Sequence, residues 1–148
     1  LAHLDVVNIG AAGTFVIRQP VTQAQLRVEV ARRLPFDAEI IICNGTDILR
    51  LMSQSRFADH PVRSDVVRFV SILSRRPGLT PSTPLSFPSG GGWLLKILAI
   101  ENRFVFGVYR RQMKAIRYLG EIDRLFGVPA TTRNWNTITA ITRVLRKR

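Results

Sequence analysis

The run Trp93-Leu94-Leu95-Lys96-Ile97-Leu98-Ala99-Ile100-Glu101-Asn102-Arg103-Phe104-Val105-Phe106-Gly107-Val108 sets two apolar segments on either side of the polar pair Glu101-Asn102. Segments of this composition joined by two polar residues predict a β-hairpin with a tight turn at 101–102. Alternation then places Trp93, Leu95 and Ile97 on one face and Phe104, Phe106 and Val108 on another. Hairpins imply antiparallel pairing with helices laid on one face, so this stretch points to an α+β fold.

Working upstream, 65–73 is apolar on both faces apart from Arg68 and Ser71, as a central strand requires. Between them, 75–92 holds Pro77, Pro81, Pro84, Pro88 and Gly90-Gly91-Gly92, a composition that predicts one long loop. Near the start, 4–9 and 14–17 form a first hairpin across Gly10-Ala11-Ala12-Gly13. Thr22-Gln23-Ala24-Gln25 has the form of a capping box, and Leu26, Val30 and Leu34 continue that helix to Pro35. The β-branched run 38–43, closed by Asn44-Gly45, predicts a buried strand. A short helix follows over 46–54, with Thr46 as its cap, Asp47 in its first turn and Ile48, Leu51 and Met52 as its apolar face.

Downstream, 113–126 reads as one helix with the stripe Ala115, Leu119, Ile122 and Phe126, ending at Gly127. The last helix begins near Asn134 and turns Trp135, Ile138, Ile141 and Leu145 inward. The expected organisation is two α+β units, 1–62 and 63–148, with antiparallel sheets and helices packed on one face. The hairpin-helix-strand order of the first matches a ferredoxin-like β-α-β-β-α-β unit lacking its opening strand and helix. The first residues also lack an initiator Met, so the piece reads as incomplete at its front end.

The 148 residues carry 22 Lys plus Arg against 10 Asp plus Glu, a net charge of +12 that attracts polyanions. All but Lys96, Lys114 and Lys147 of the basic residues are arginines, a skew that suits planar, bidentate phosphate contacts and that genomic base composition also produces. The charges lie in pairs at 32–33, 75–76 and 110–111, each of which also reads as a solvated face, and in the tail Arg143, Arg146, Lys147 and Arg148. The single cysteine, Cys43, cannot form an internal disulfide, which predicts a reducing, cytoplasmic compartment and a packing role. His3 and His60 have no second ligand at helical spacing, so neither a metal site nor a cofactor is expected. No apolar run approaches the roughly 20 residues of a membrane span, and no membrane partner is expected.

The glycines at 10 and 13 have the wrong spacing for a dinucleotide fingerprint, and Gly90-Gly91-Gly92 lacks the lysine and helix of a phosphate loop. The stretch Phe126-Gly127-Val128-Pro129-Ala130-Thr131-Thr132-Arg133-Asn134-Trp135-Asn136-Thr137 is more informative. It joins an extended piece to a helix N-terminus, where Thr131, Thr132, Arg133, Asn134 and Asn136 make an anion-binding candidate. The same residues have a structural reading, with Asn134 as the cap, Trp135 in the core and Arg133 bonded to a neighbour.

Through Ala130-Thr131-Thr132-Arg133-Asn134-Trp135-Asn136-Thr137 the chain resembles the bacterial domain-of-unknown-function family 1697, with support from the 10–17 hairpin and Ala31-Arg32-Arg33-Leu34-Pro35-Phe36. The family's opening Leu-Leu-Arg-Gly-Ile-Asn-like segment has no counterpart here, and its Ser-Gly-Asn turn stands as Ala12-Gly13-Thr14. The resemblance implies an α+β fold of ferredoxin-like units and no established activity.

The leading functional expectation is a noncatalytic basic module for anionic partners, nucleic acid first among them, with Phe or Tyr of the sheet as stacking platforms. A second is a structural or oligomerisation protein, a homodimer pairing through an exposed strand edge. A third is an enzyme on a small anionic substrate, with Arg133 holding the anion and Asp65, Glu101 or Asp123 taking a proton.

Overall fold

The computed structural model describes residues 5–10, 13–34, 40–53, 57 and 64–147. It is an α+β protein whose chain clusters into two compact units, 1–53 with 136–148 and 54–135. The sequence division at 62 therefore differs from the observed one, and the last helix belongs with the N-terminal residues. Leu145 explains why. Its Cδ2 lies 3.0 Å from where a Cβ on Gly45 would stand, and the Arg18 guanidinium donates to the Lys147 carbonyl at 3.1 Å.

In the first unit, β1 (Val6–Ile9) pairs antiparallel with β2 (Thr14–Ile17), the expected hairpin. Helix α1 (Gln23–Arg33) opens on the capping box read from the sequence: Thr22 Oγ1 accepts from the Gln25 amide at 3.1 Å, and Gln25 Oε1 accepts from the Thr22 amide at 3.3 Å. The strand expected over 38–43 is not found in its described part. Residues 40–43 are irregular and half-buried, and the Ile40 carbonyl accepts from Arg27 Nη1 at 2.7 Å instead of from a neighbouring strand. β-branched composition favours extended backbone, which by itself does not make a sheet strand. Residues 38 and 39 lie outside the described residues, as do both histidines. Helix α2 (Gly45–Ser53) starts one residue before the expected cap Thr46, with the Asn44 carbonyl accepting from the Asp47 amide. Ile48 and Leu51 are its buried residues.

The second unit holds a five-stranded antiparallel sheet in the order β4-β5-β6-β3-β7, built from β3 (Val66–Leu73), β4 (Leu85–Phe87), β5 (Leu95–Glu101), β6 (Phe104–Arg110) and β7 (Ala130–Asn134). Helices α3 (Met113–Leu119) and α4 (Ile122–Phe126) lie between β6 and β7 in the chain. Strand β3 runs between β6 and β7, the interior position its two-sided apolar pattern requires. Three expectations need correction. Residues 85–87 of the supposed loop form an edge strand on β5, a position prolines tolerate just outside the ladder. The turn of the central hairpin is Asn102-Arg103, because Glu101 pairs with Phe104 and Asn102 takes the positive φ of 55° that asparagine accepts more readily than glutamate. The helix expected over 113–126 is two helices, broken at Gly120, whose amide closes the last turn of α3 onto the Ile116 and Tyr118 carbonyls.

The register sorts the side chains. Phe69, Leu73, Leu95, Ile97 and Val105 face one side, where Ile122 and Phe126 of α4 complete a buried cluster. Val70, Ile72, Phe104, Phe106 and Val108 face the other, and all are buried. Ser71 is buried too, and its Oγ meets Thr132 Oγ1 at 2.5 Å, so each hydroxyl is satisfied across the β3–β7 pair. Gly107 is where Phe69 crosses the sheet. A Cβ there would stand 2.6 Å from Phe69 Cε1 and 2.7 Å from the Lys96 carbonyl. Gly107→Ala is expected to cost about 3 kcal/mol by overpacking, read as a lower denaturant midpoint at unchanged slope. A midpoint within error of the parent's would contradict this packing.

Candidate functional site

The stretch that holds the anion-binding candidate does join an extended piece to a helix, and the extended piece is a strand of the sheet. Thr131, Thr132, Arg133 and Asn134 belong to β7 and pair with Ile72, Ser71, Val70 and Phe69 of β3. Their backbone is committed to a sheet edge. Helix α5 (Trp135–Arg146) begins directly after it, and the boundary between the units falls after Trp135, so Asn136 is grouped with the other unit. Thr131 and Arg133 share one face of β7, and Thr132 lies on the opposite face with Ser71. Arg133 Nη1 donates to Thr131 Oγ1 at 2.8 Å and to the Thr132 carbonyl at 2.9 Å. Burial pushes the guanidinium below its ordinary pKa. It remains charged across the neutral range in folded and unfolded chain alike, so stability there does not depend on its titration. These contacts make Arg133 a brace of its own strand.

The sheet register assembles a different cationic site. On the face opposite α4, Arg68 of β3 stands across from Val108 of β6, and Val108 across from Lys96 of β5. Neighbouring strands are about 4.8 Å apart, so Arg68 and Lys96 flank Val108 in one row about 10 Å long at the backbone. Arg110, two residues on from Val108, shares that face. Its Nε donates to the Trp93 carbonyl at 2.8 Å, its amide donates to the Leu94 carbonyl at 2.8 Å, and its guanidinium carbon sits 4.2 Å from the centroid of the Trp93 ring. Lys96 Nζ lies 4.7 Å from the same centroid. Asp65 Oδ2 is 3.7 Å from Arg110 Nη1, and Arg111 Nε donates to the Ser64 carbonyl at 2.8 Å. Arg68 stacks at 5.3 Å on Phe57, which itself packs edge-on to Phe106 and Trp135.

Trp93 is therefore not a companion of Leu95 and Ile97 on an inner face. It sits half-buried in the β4–β5 connection as a platform for two cations. Of the sheet's aromatic residues, Phe69, Phe104 and Phe106 are buried and offer no stacking platform, whereas Phe87 and Tyr109 are half-buried. Sequence reading missed this site because Lys96 looked like an interruption of an apolar run and Arg110-Arg111 like a solvated pair. The signal present was parity, since Lys96, Val108, Arg110 and Arg68 share a face once the turn is placed at 102–103. Among the described residues no group of three or more His, Cys, Asp or Glu side chains is placed to hold a metal ion, and no helix is long and apolar enough to cross a membrane.

Compared with family models, curated proteins and solved structures, the chain gives no significant match. The resemblance noted at 130–137, 10–17 and 31–36 rests on those residues alone.

Arg133→Ala is expected to lower stability by about 1–2 kcal/mol, through the two lost hydrogen bonds of a charged donor, and to leave polyanion affinity within twofold. Denaturation and oligonucleotide titration of the same variant check both parts. A large loss of affinity with unchanged stability would restore the role read from the sequence.

Proposed function

We propose that the protein is a basic binding module for polyanions, with nucleic acid the foremost partner. The observation that carries this reading is the cationic end of the sheet, where Lys96 and Arg110 stack on Trp93 with Asp65 as the acid paired to Arg110, and Arg68 stands on the same sheet face. The charge balance supports it. Residues 54–135 hold 13 basic and 5 acidic side chains, a surplus of 8, against 9 and 5, a surplus of 4, in the rest of the chain. The larger share of the positive charge thus belongs to the unit that carries the row.

The cations stand on paired strands and not on a flexible tail, which lowers the cost of ordering them when a ligand binds. The lone cysteine suits a reducing compartment such as the cytoplasm, where nucleic acid is an abundant polyanion. Phosphate contacts without base-edge contacts give affinity with little sequence preference.

Titrating labelled single- and double-stranded oligonucleotides by fluorescence anisotropy tests the reading. The logarithm of affinity is expected to fall linearly with that of salt, with a slope of about −2 to −4 for three or four neutralised phosphates, steeper on duplex than on single strands. Lys96→Glu with Arg110→Glu is expected to lower affinity more than tenfold at low salt, roughly the 1.4 kcal/mol of one lost contact or more. Absence of binding at about 50 mM salt, a regime that favours even nonspecific complexes, would overturn it.

A further inference from the structure

The geometry points to a discrete phosphate subsite formed by Lys96 and Arg110 and positioned by Trp93, in which one phosphate group bridges the two cations. This rests on the polyanion reading for its ligand class and adds the group recognised and the residues that hold it.

Two distances to one ring set the spacing. Lys96 Nζ stands 4.7 Å and Arg110 Cζ 4.2 Å from the Trp93 centroid, so the two are at most 8.9 Å apart, the sum of the two, across the ring and closer on one side of it. A tetrahedral phosphate accepting charge-assisted hydrogen bonds of about 2.8 Å on two of its oxygens spans about 6–8 Å between donors. The flexible four-carbon stem of Lys96 allows its ammonium to take the side of the ring on which Arg110 stacks, where one phosphate reaches both.

The site is also held in place before any ligand arrives. Arg110 is fixed by its Nε bond to the Trp93 carbonyl and by stacking on the same residue's ring, which leaves the terminal guanidinium nitrogens to present a fork. Trp93 owes its position to the preceding connection. Leu94 donates to the Phe87 carbonyl at 2.7 Å, closing a hairpin whose exposed tip is Gly90-Gly91-Gly92. Gly90 and Gly92 take positive φ values of 91° and 72°, which side-chain-bearing residues rarely adopt. A Cβ at any of the three would meet nothing within 4 Å, so the tip itself is uncrowded.

Asp65 shares the Arg110 guanidinium with the proposed ligand. Its carboxylate lies 3.7 Å from Arg110 Nη1, and its side chain is half exposed, so a phosphate displaces it without burying it. A carboxylate that competes with the ligand predicts gain of affinity on its removal.

The phosphate belongs either to the backbone of a nucleic acid or to a terminal or free phosphoryl group, and the experiment separates these. Inorganic phosphate is titrated into the full chain at constant ionic strength against chloride, following the indole N–H resonance of Trp93. A saturable shift is expected, weakened about tenfold in Lys96→Ala and in Arg110→Ala by loss of one charge-assisted bond each, and strengthened several-fold in Asp65→Asn. Arg110→Lys, which keeps the charge and loses the stacked fork, serves where Arg110→Ala fails to fold, and its expected loss is intermediate. Arg32→Ala, which removes an exposed charge in the other unit, leaves the shift unchanged.

Single-stranded oligonucleotides with and without a 5′-phosphate form the second arm. Equal affinity, with a salt slope reduced by about 0.7 in the Lys96→Ala, Arg110→Ala double variant, assigns the site to one backbone phosphate. A gain confined to the 5′-phosphorylated strand assigns it to terminal phosphate. No saturable shift, or a shift undiminished by both alanine variants, overturns the subsite even if oligonucleotides bind steeply with salt. Phosphate binding without oligonucleotide binding leaves the subsite standing and removes the nucleic-acid reading.

Discussion

The pairing of β3 with β6 is the constraint on which the second unit depends. Both strands are apolar on two faces, so neither is stable at an edge, and each is interior with partners on both sides. A slip of one residue would send Phe69 and Val105 to the wrong face together, and a side chain at Gly107 would close the space that Phe69 fills. The same register decides which charged residues become neighbours. Arg68, Lys96 and Arg110 are separated in sequence and come onto one face because Val108 stands between β3 and β5.

The arginine excess has a structural component that bears on how the net charge is read. Among the described residues, Arg18, Arg27, Arg33, Arg103, Arg110, Arg111 and Arg133 each donate to a main-chain carbonyl. A planar guanidinium is suited to such bracing because it keeps several donors in a fixed fork. A carbonyl satisfies those donors without cancelling the charge, so the bracing arginines still contribute to the field around the molecule. Arg110 does both. It ties the β4–β5 connection to β6 and keeps a cationic head at the surface, whereas Arg133 spends its identified donors on β7.

Much of the fold was legible in the sequence for local reasons. The Thr22–Gln25 box, the stop at Gly127 and the two-sided apolar run at β3 are each dictated by neighbours in the chain. What failed was non-local. The segment ending at Cys43 has strand composition without a described strand beside it, and Leu85–Phe87 becomes a strand only because β5 offers an edge. The site follows the same division. Thr131 to Asn134 read as an extended approach to a helix, which they are, but that their partners lie on β3 is not visible from their neighbours in the chain. The Trp93 platform was hidden because it depends on Arg110, placed by a turn one residue later than the composition suggests.

The central claim is that the sheet register, and not net charge spread over the molecule, creates the surface that meets a polyanion. A backbone amide shift map during titration with a short single-stranded oligonucleotide addresses it most directly. The account expects the largest perturbations at 93–96 and 108–111 and around Arg68, with 143–147 little affected. Perturbations centred on the C-terminal arginines, or shared evenly among exposed basic residues of both units, would contradict it.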